Sequence, residues 1–377
     1  MRDPRRFFGL RAAAWFCLAL PVALTIAPAA AQVPAQQHAP ASVAAPPQEP
    51  SAAVSDPQQD LHAGAALTRQ GDLQRAIPHL LAAQHAGLDP YAVGVNLGIC
   101  YLGTLQYKQA IAILLPLRDS SARAVTVNNL LAQAYLGDGQ PRLAYQAFLD
   151  AAAAAPGDES LYAYMADAST DHQNYALGLQ VVDRGLRNLP NSARLHYERA
   201  VFLARLGRFE ECKPEFDRAA QLAPQNYIGF LALVQKDLYE DDFPAADKVL
   251  HQALLAGQRD YRLLSLLGTV LLHEGAAPGQ PQFAEAQSAL EESARERPDY
   301  SATQIALGKI YLMENRPRDA IDHLEMGRHL EPNNASVYAN LASAWEQLGD
   351  PTKARAMRAQ VGRILAEKKT APAPPQP

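Results

Sequence analysis

The residues that could do chemistry are few, and their spacing fits no metal or catalytic site. His273 begins like the helical zinc-hydrolase motif, which needs a second histidine four residues later, but Ala277 stands there. Glu325 and His329 share a helix face at i and i+4, yet one pair offers too few ligands to hold a metal ion. Asp241–Asp247 ("DDFPAAD") lacks the glycine and terminal glutamate of a calcium loop, and it indicates a helix start rich in acidic residues.

Other catalytic and cofactor motifs are absent from the sequence. It contains no G-x-S-x-G elbow, no glycine-rich phosphate loop ending in Lys-Ser/Thr and no C-x-x-C. No histidine has a second histidine at i+3 or i+4. We therefore predict that the protein is not an enzyme and has no catalytic residues, no cofactor and no metal.

The first residues indicate export. Four arginines precede an apolar stretch that starts at Ala12, and an A-x-A cleavage site follows at Ala29 and Ala31. This pattern is typical of a signal peptide, which we predict over residues 1–31, with cleavage before Gln32. An uncleaved membrane anchor and, because of Arg5-Arg6, the twin-arginine route stay open as alternatives. The expected localisation is exported, either periplasmic or secreted.

Composition argues against two kinds of partner. The chain of 377 residues has a net charge of −5, and removal of residues 1–31 takes away four arginines and one aspartate, which leaves −8. A mildly acidic protein is a poor match for nucleic acid or for an anionic membrane surface. Residues 32–56 are rich in Pro, Ala and Gln and predict a disordered linker, and residues 369–377 predict a disordered tail.

A period of 34 residues runs between these ends. Gly71, Gly139 and Gly207 are 68 residues apart, with Leu105 and Gln173 halfway between them at the same phase. A second phase carries small residues, again 34 apart: Ala76, Ala110, Ala144, Gly178, Cys212 and Ala246. A third carries Leu80, Leu114, Phe148, Val182, Phe216 and Leu250. Such self-similarity at a fixed period indicates a repeat architecture, in which each unit packs on its neighbours.

This period, with "NLGICY" at Asn96–Tyr101 and "ALGKIY" at Ala306–Tyr311, resembles the tetratricopeptide repeat. The resemblance implies an all-α fold: a solenoid, wound as a right-handed superhelix, of about nine helix–turn–helix units. We place the solenoid at residues 57–368. Its predicted units are 57–90, 91–124, 125–158, 159–192, 193–226, 227–260, 261–300, 301–334 and 335–368.

The family also implies a function, which is binding of protein or peptide segments on the concave surface lined by the first helix of each unit. Mapped onto this sequence, the implied binding residues are Val95, Asn96, Ile99, Asn129, Gln133, Tyr164, Tyr197, Val201, Leu231, Gln235, Tyr239, His273, Ile305 and Lys309. Each of these side chains has a competing role, since apolar helical stripes often only pack between neighbouring helices. The carboxylate clamp of chaperone-binding members is not supported, because only Asn96 matches it.

The leading expectation is a non-catalytic exported scaffold or adaptor for proteins, with no membrane insertion after signal cleavage. An assembly factor or chaperone for an envelope complex, such as a pilus, a secretion system or cytochrome maturation, is the alternative. A glycan-handling protein or enzyme is the third. The charged last helix indicates a solvating cap and hence a monomer.

Three local features deviate from the period. Pro116 falls late in the second helix of its unit and should kink or end that helix. Ala276–Pro281 forms a six-residue insertion between the two helices of the seventh unit, where a solenoid lengthens cheaply. Cys100 and Cys212 belong to non-adjacent units, so we expect small core residues and no mutual disulfide.

Overall fold

The computed structural model describes residues 56–118 and 124–370, without the side chains of 368–370. Its described part contains helices and no strand. Residues 1–55, 119–123 and 371–377 lie outside it, and with them the predicted signal peptide, nearly all of the predicted linker and most of the predicted tail. The described residues fall into two compact units divided at Pro190 and Asn191. The 34-residue register does not predict this division.

The N-terminal unit consists of four helix pairs. Their bounds are α1 Pro57–Gln70, α2 Leu73–His85, α3 Pro90–Gly103, α4 Tyr107–Leu114, α5 Ala124–Gly137, α6 Pro141–Ala154, α7 Glu159–Asp171 and α8 Tyr175–Asn188. A 3₁₀ turn at Leu115–Leu117 contains Pro116 and follows α4 directly. The expectation that Pro116 ends its helix is confirmed.

The C-terminal unit consists of five helix pairs. Their bounds are α9 Ala193–Arg205, α10 Phe209–Leu222, α11 Tyr227–Tyr239, α12 Phe243–Leu255, α13 Tyr261–His273, α14 Pro281–Glu296, α15 Ser301–Met313, α16 Pro317–Leu330, α17 Ala335–Gln347 and α18 Pro351–Thr370. In both units a helix packs on its pair partner or on the adjacent pair. The expectation of an all-α helical repeat is therefore confirmed, while the handedness of the superhelix stays a prediction.

One backbone turn joins the two helices of every pair. In each turn one residue has a left-handed backbone, and the N–H of the next residue donates to a carbonyl in the last turn of the first helix. Asp72 N, for example, donates to Leu67 O at 3.0 Å. This is the Schellman arrangement, which needs a positive φ just after the helix. Glycine supplies that φ in five turns, but Leu105, Gln173, Asp241 and Asn315 supply it in the other four, with φ between 53° and 59°.

Small residues set how closely the two helices of a pair approach. A Cβ placed on Gly98 would lie 2.7 Å from Leu114 Cδ2, and one on Gly308 would lie 2.5 Å from Leu324 Cγ. Both leucines are fully buried. Glycine at these two positions of the first helix is thus a packing requirement, because a larger side chain there would overlap the leucine of the partner helix.

Proline carbonyls tie each of three pairs to the next. Tyr162 Oη donates to Pro156 O at 2.9 Å, and Tyr338 Oη donates to Pro332 O at 2.8 Å. Gln304 Nε2 donates to Pro298 O at 2.7 Å. The prolines that close the units therefore stop the second helix and also offer an acceptor to the first helix of the next pair.

His251 links α12 to α14. Its Nδ1 lies 3.1 Å from Asp247 Oδ1 and 2.9 Å from Asp247 O, and its Nε2 lies 2.9 Å from Glu285 Oε1. Both ring nitrogens face acceptors, and only the protonated ring donates from both. Burial opposes that charge, but the contacts with Asp247 and Glu285 raise the pKa of His251 above its usual value.

The insertion is an ordered turn. α13 ends at His273 and α14 begins at Pro281, and the segment between them keeps the Schellman bond from Ala276 N to Leu271 O at 3.1 Å. Gln280 Oε1 accepts from Ala277 N at 3.0 Å, and Gln280 N donates back to Ala277 O at 3.0 Å. The extra residues therefore lie after the helix stop and leave the packing phase of α14 intact.

Both cysteines of the described residues are free and buried. Cys100 Sγ lies 3.2 Å from Thr68 Oγ1, and burial raises the pKa of both thiols. The expectation of core cysteines is confirmed. Among the described helices none is long and apolar enough to cross a membrane.

Candidate binding surface

In the N-terminal unit the first helices of successive pairs lie side by side, with α3 against α5 and α5 against α7. The predicted binding residues on them are all partly or well exposed: Val95, Asn96 and Ile99 on α3, Asn129 and Gln133 on α5, and Tyr164 on α7. We call these six residues the amide face. Tyr164 is 39% exposed, so its aromatic side chain is accessible to a partner.

The amide side chains of this face form few hydrogen bonds within the protein. Asn96 donates only through Nδ2, to Ala92 O at 2.7 Å, and Gln133 Nε2 reaches Asn129 O at 3.5 Å. Asn129 buries Oδ1 without a hydrogen-bond partner. A buried acceptor left without a donor costs about 1–3 kcal/mol. Asn96 and Gln133, which are partly exposed, therefore retain hydrogen-bonding capacity beside apolar and aromatic contacts, whereas the buried Asn129 Oδ1 does not reach the surface.

In the C-terminal unit most of the corresponding residues on α9 and α11 are buried. Leu231 has no exposed surface, and Tyr197, Val201 and Gln235 retain 8% or less. Leu231 is therefore a core residue, and its predicted role at the surface is wrong because its own unit encloses the side chain. Tyr239 is half-buried and stacks on Phe216, with ring centroids 5.9 Å apart.

A cluster of arginine and tyrosine side chains lies in the same unit. Arg262 forms a bidentate pair with Asp260, at 2.8 and 2.9 Å. Its guanidinium lies 4.6 Å from the ring centroid of Tyr227 and 5.2 Å from that of Tyr261. Tyr300 meets Tyr261 edge to face, at 5.0 Å between centroids. Cations over aromatic faces are attracted most strongly when water is excluded.

The electrostatics of this cluster extend to α9. Burial raises the pKa of Tyr197, and the charges of Arg262 and Asp260 act on the same ring. Burial also raises the pKa of Glu198, which is 5% exposed, while Arg194 and Arg262 oppose that rise. The charges of Arg262 and Asp260 therefore lie close enough to α9 to influence its buried polar groups.

Three predicted residues of the C-terminal unit remain accessible. His273 and Lys309 are exposed, and Ile305 is partly exposed. The His273 ring stacks on Phe243, with centroids 3.7 Å apart. Burial and the charge of Lys309 lower the pKa of His273, while Asp241 opposes the change. The sequence signal that could have revealed the cluster was the 34-residue spacing of Tyr227 and Tyr261.

Within residues 56–118 and 124–370 no group of three His, Cys, Asp or Glu side chains is arranged to hold a metal ion. Glu325 pairs with Arg328 at 2.5 Å rather than with His329.

The comparisons with known proteins agree with the fold. Tetratricopeptide repeat models match residues 193–226 and 279–344. No curated protein sequence matches the chain. Among solved structures, the Cut9–Hcn1 hetero-tetramer of the APC/C is 17% identical with a TM-score of 0.51, over 82% of this chain and 61% of that one. The chain thus spans less than two thirds of that relative.

Two further structures are similar at lower scores. A tetratricopeptide repeat protein from Parabacteroides merdae is 14% identical with a TM-score of 0.49, over 68% of this chain and 98% of that one. YrrB, described as a TPR protein with an unusual peptide-binding site, is 17% identical with a TM-score of 0.35, over 50% and 97%. The chain is an all-α helical repeat solenoid. The family models support the tetratricopeptide repeat family over the residues they match, and the Cut9–Hcn1 structure supports the fold.

Proposed function

We propose that this protein is an exported, non-catalytic scaffold that holds a segment of a partner protein on the amide face of its N-terminal unit. The observation that carries the proposal is the exposure of Tyr164 beside Asn96, Asn129 and Gln133, whose amides are little used within the protein. Helical repeats expose such extended surfaces for partners.

The chemistry of the face defines the kind of segment. Val95, Ile99 and Tyr164 offer apolar and aromatic contacts, and the amides of Asn129 and Gln133 can exchange hydrogen bonds with a peptide backbone. None of the six residues is charged. An uncharged, partly apolar segment therefore fits better than an acidic or basic one.

Site-specific photo-crosslinking tests the location. A benzoylphenylalanine residue replaces Gln133 or Tyr164 in cells that make the full chain, and Gln146, exposed on α6, serves as the control position. Discrete adducts from the first two positions alone are expected, and Asn129→Ala should weaken the adduct formed from Gln133. Equal labelling at all three positions, or none, would contradict the proposal.

Export is tested separately. The proposal expects the protein in the envelope or the medium, with an intact mass that starts at Gln32. The signal pattern at residues 1–31 supports it. A full-length mass found in the cytoplasm would contradict export, and it would leave the crosslinking result unaffected. Within an exported scaffold, the narrower role is assembly factor or chaperone for an envelope complex, and the identity of the adduct would decide it.

A further inference from the structure

The last helix, α18, has a charge opposite to that of the rest of the chain. It is 20 residues long and carries six basic residues against one acidic one, Glu367. The basic residues are Lys353, Arg355, Arg358, Arg363, Lys368 and Lys369. Because the whole chain has a net charge of −5, the residues outside α18 have a net charge of −10. The overall acidity, which argued against anionic partners, therefore hides one strongly basic element.

One side of α18 is used for folding. Ala354 and Ile364 are buried, and Met357 packs on the hydrophobic cluster that contains Val337 and Leu341. Lys353 lies over the Trp345 ring, 3.9 Å from its centroid, and Arg358 pairs with Glu346. These contacts fix the helix on α17 and determine which side stays outside.

The opposite side is uncovered and basic. It consists of Arg355, Ala359, Gly362, Arg363 and Ala366, all exposed, and we call it the basic face. No acidic partner is recorded for Arg355 or Arg363 among the described residues, and Arg355 Nε donates only to Pro351 O, at 3.2 Å. Nothing in the described chain lies within 4 Å of a Cβ placed on Gly362.

We propose that the basic face binds the surface of an anionic phospholipid bilayer, with the helix lying along that surface. Arg355 and Arg363 are eight residues apart, about 12 Å along the helix at 1.5 Å per residue, so each can contact a separate headgroup. The small residues between them let phosphates come close to the helix. Leu365, beside the face, is 49% exposed and supplies an apolar side chain for the headgroup boundary.

Two other anionic partners fit this face less well. A single-stranded nucleic acid is held by aromatic stacking as well as charge, and the basic face has no aromatic residue. An acidic peptide would need a groove that holds it in one position. The basic face is the outer side of a single helix, with open space at Gly362, and forms no such groove. A flat array of negative headgroups needs neither feature, and basic residues near such a surface each contribute about a fivefold gain in affinity.

Flotation with vesicles tests the proposal on the chain that starts at Gln32. Phosphatidylcholine vesicles with one third phosphatidylglycerol should bind the protein at low salt, high salt should release it, and pure phosphatidylcholine should not bind it. Arg355→Glu with Arg363→Glu should reduce the affinity at least about 25-fold, the product of two fivefold contributions. Leu365→Ser should reduce it a few-fold.

The matched control is Arg295→Glu with Arg318→Glu, which changes the net charge equally at exposed positions of the same unit. It should retain more affinity for the vesicles than the α18 variant. Circular dichroism and thermal melts confirm that each variant is folded. The proposal is overturned if the starting protein does not bind the anionic vesicles, if the two double variants lose affinity equally, or if an oligonucleotide or polyglutamate binds more tightly than the vesicles. None of these results depends on the amide face.

Discussion

Replacing Gln173 with glycine should stabilise the N-terminal unit. Gln173 joins α7 to α8 with φ at 53°, where the turns on either side in sequence, at Gly139 and Gly207, use glycine. A left-handed backbone costs a residue with a Cβ about 1–2 kcal/mol, and glycine loses about 0.5–1 kcal/mol more conformational freedom on folding. Gln173 is exposed, so little packing is lost. The expected net gain is about 0.5–1 kcal/mol.

The reverse exchange provides the control. Gly139 occupies the same place in the preceding turn, is exposed, and has φ at 74° with no atom within 4 Å of a built Cβ. Gly139→Gln should therefore lower the free energy of unfolding by about 0.5–1 kcal/mol without steric overlap. The double variant should return close to the starting value, because the two turns are separate.

Urea titrations followed by circular dichroism measure these differences as shifts of the unfolding midpoint. The expected order of midpoints is Gln173→Gly first, then the starting protein with the double variant, then Gly139→Gln. If Gln173→Gly lowers the midpoint while Gly139→Gln leaves it unchanged, the strain argument fails for this phase of the repeat.

Three further predictions concern packing, protonation and the insertion. Gly308→Val should destabilise the C-terminal unit by about 1–3 kcal/mol in denaturant titrations, because its side chain would overlap Leu324; an unchanged midpoint would refute the close approach. The raised pKa of His251 gives stability that is fully present below the unfolded value of about 6.5 and is lost as pH rises through the folded pKa. In the His251→Gln variant the thermal midpoint should therefore fall less as the pH rises above about 6.5. The corresponding difference in the free energy of unfolding should be below about 1 kcal/mol, because the ring is 39% exposed. An identical pH profile would contradict it. Deletion of Ala276–Pro281 should leave a cooperative melt with a similar midpoint, whereas a collapse would show that the turn supports its pair.

The sequence was sufficient to predict the repeating elements. The 34-residue repeat, through the family it resembles, implied the helix pairs. Pro116 predicted where α4 ends, because the effect of proline on a helix acts within a few residues. The use of non-glycine residues at left-handed turns is also visible as Leu105 and Gln173 at the glycine phase.

The candidate surface was only partly predictable. The register gives the side of a helix on which a residue lies, but not how far side chains from other helices reach across that side. Tyr164 and Tyr197 were both predicted at the surface, yet one is 39% exposed and the other 6%. The difference arises in the C-terminal unit, where Arg262 and its tyrosines come from helices that follow much later in the chain. Such contacts depend on tertiary structure and leave only a weak trace in the sequence.

Packing that lies mostly within a helix's own pair and the adjacent pair has a mechanical consequence. A chain held together in this way can lose one hairpin under tension while its neighbours stay folded. A 34-residue repeat such as 193–226 would then release up to about 110–120 Å of extended chain. A partner on the amide face and a membrane contact at α18 would therefore be joined by a chain that lengthens under tension, one repeat at a time, as single hairpins unfold.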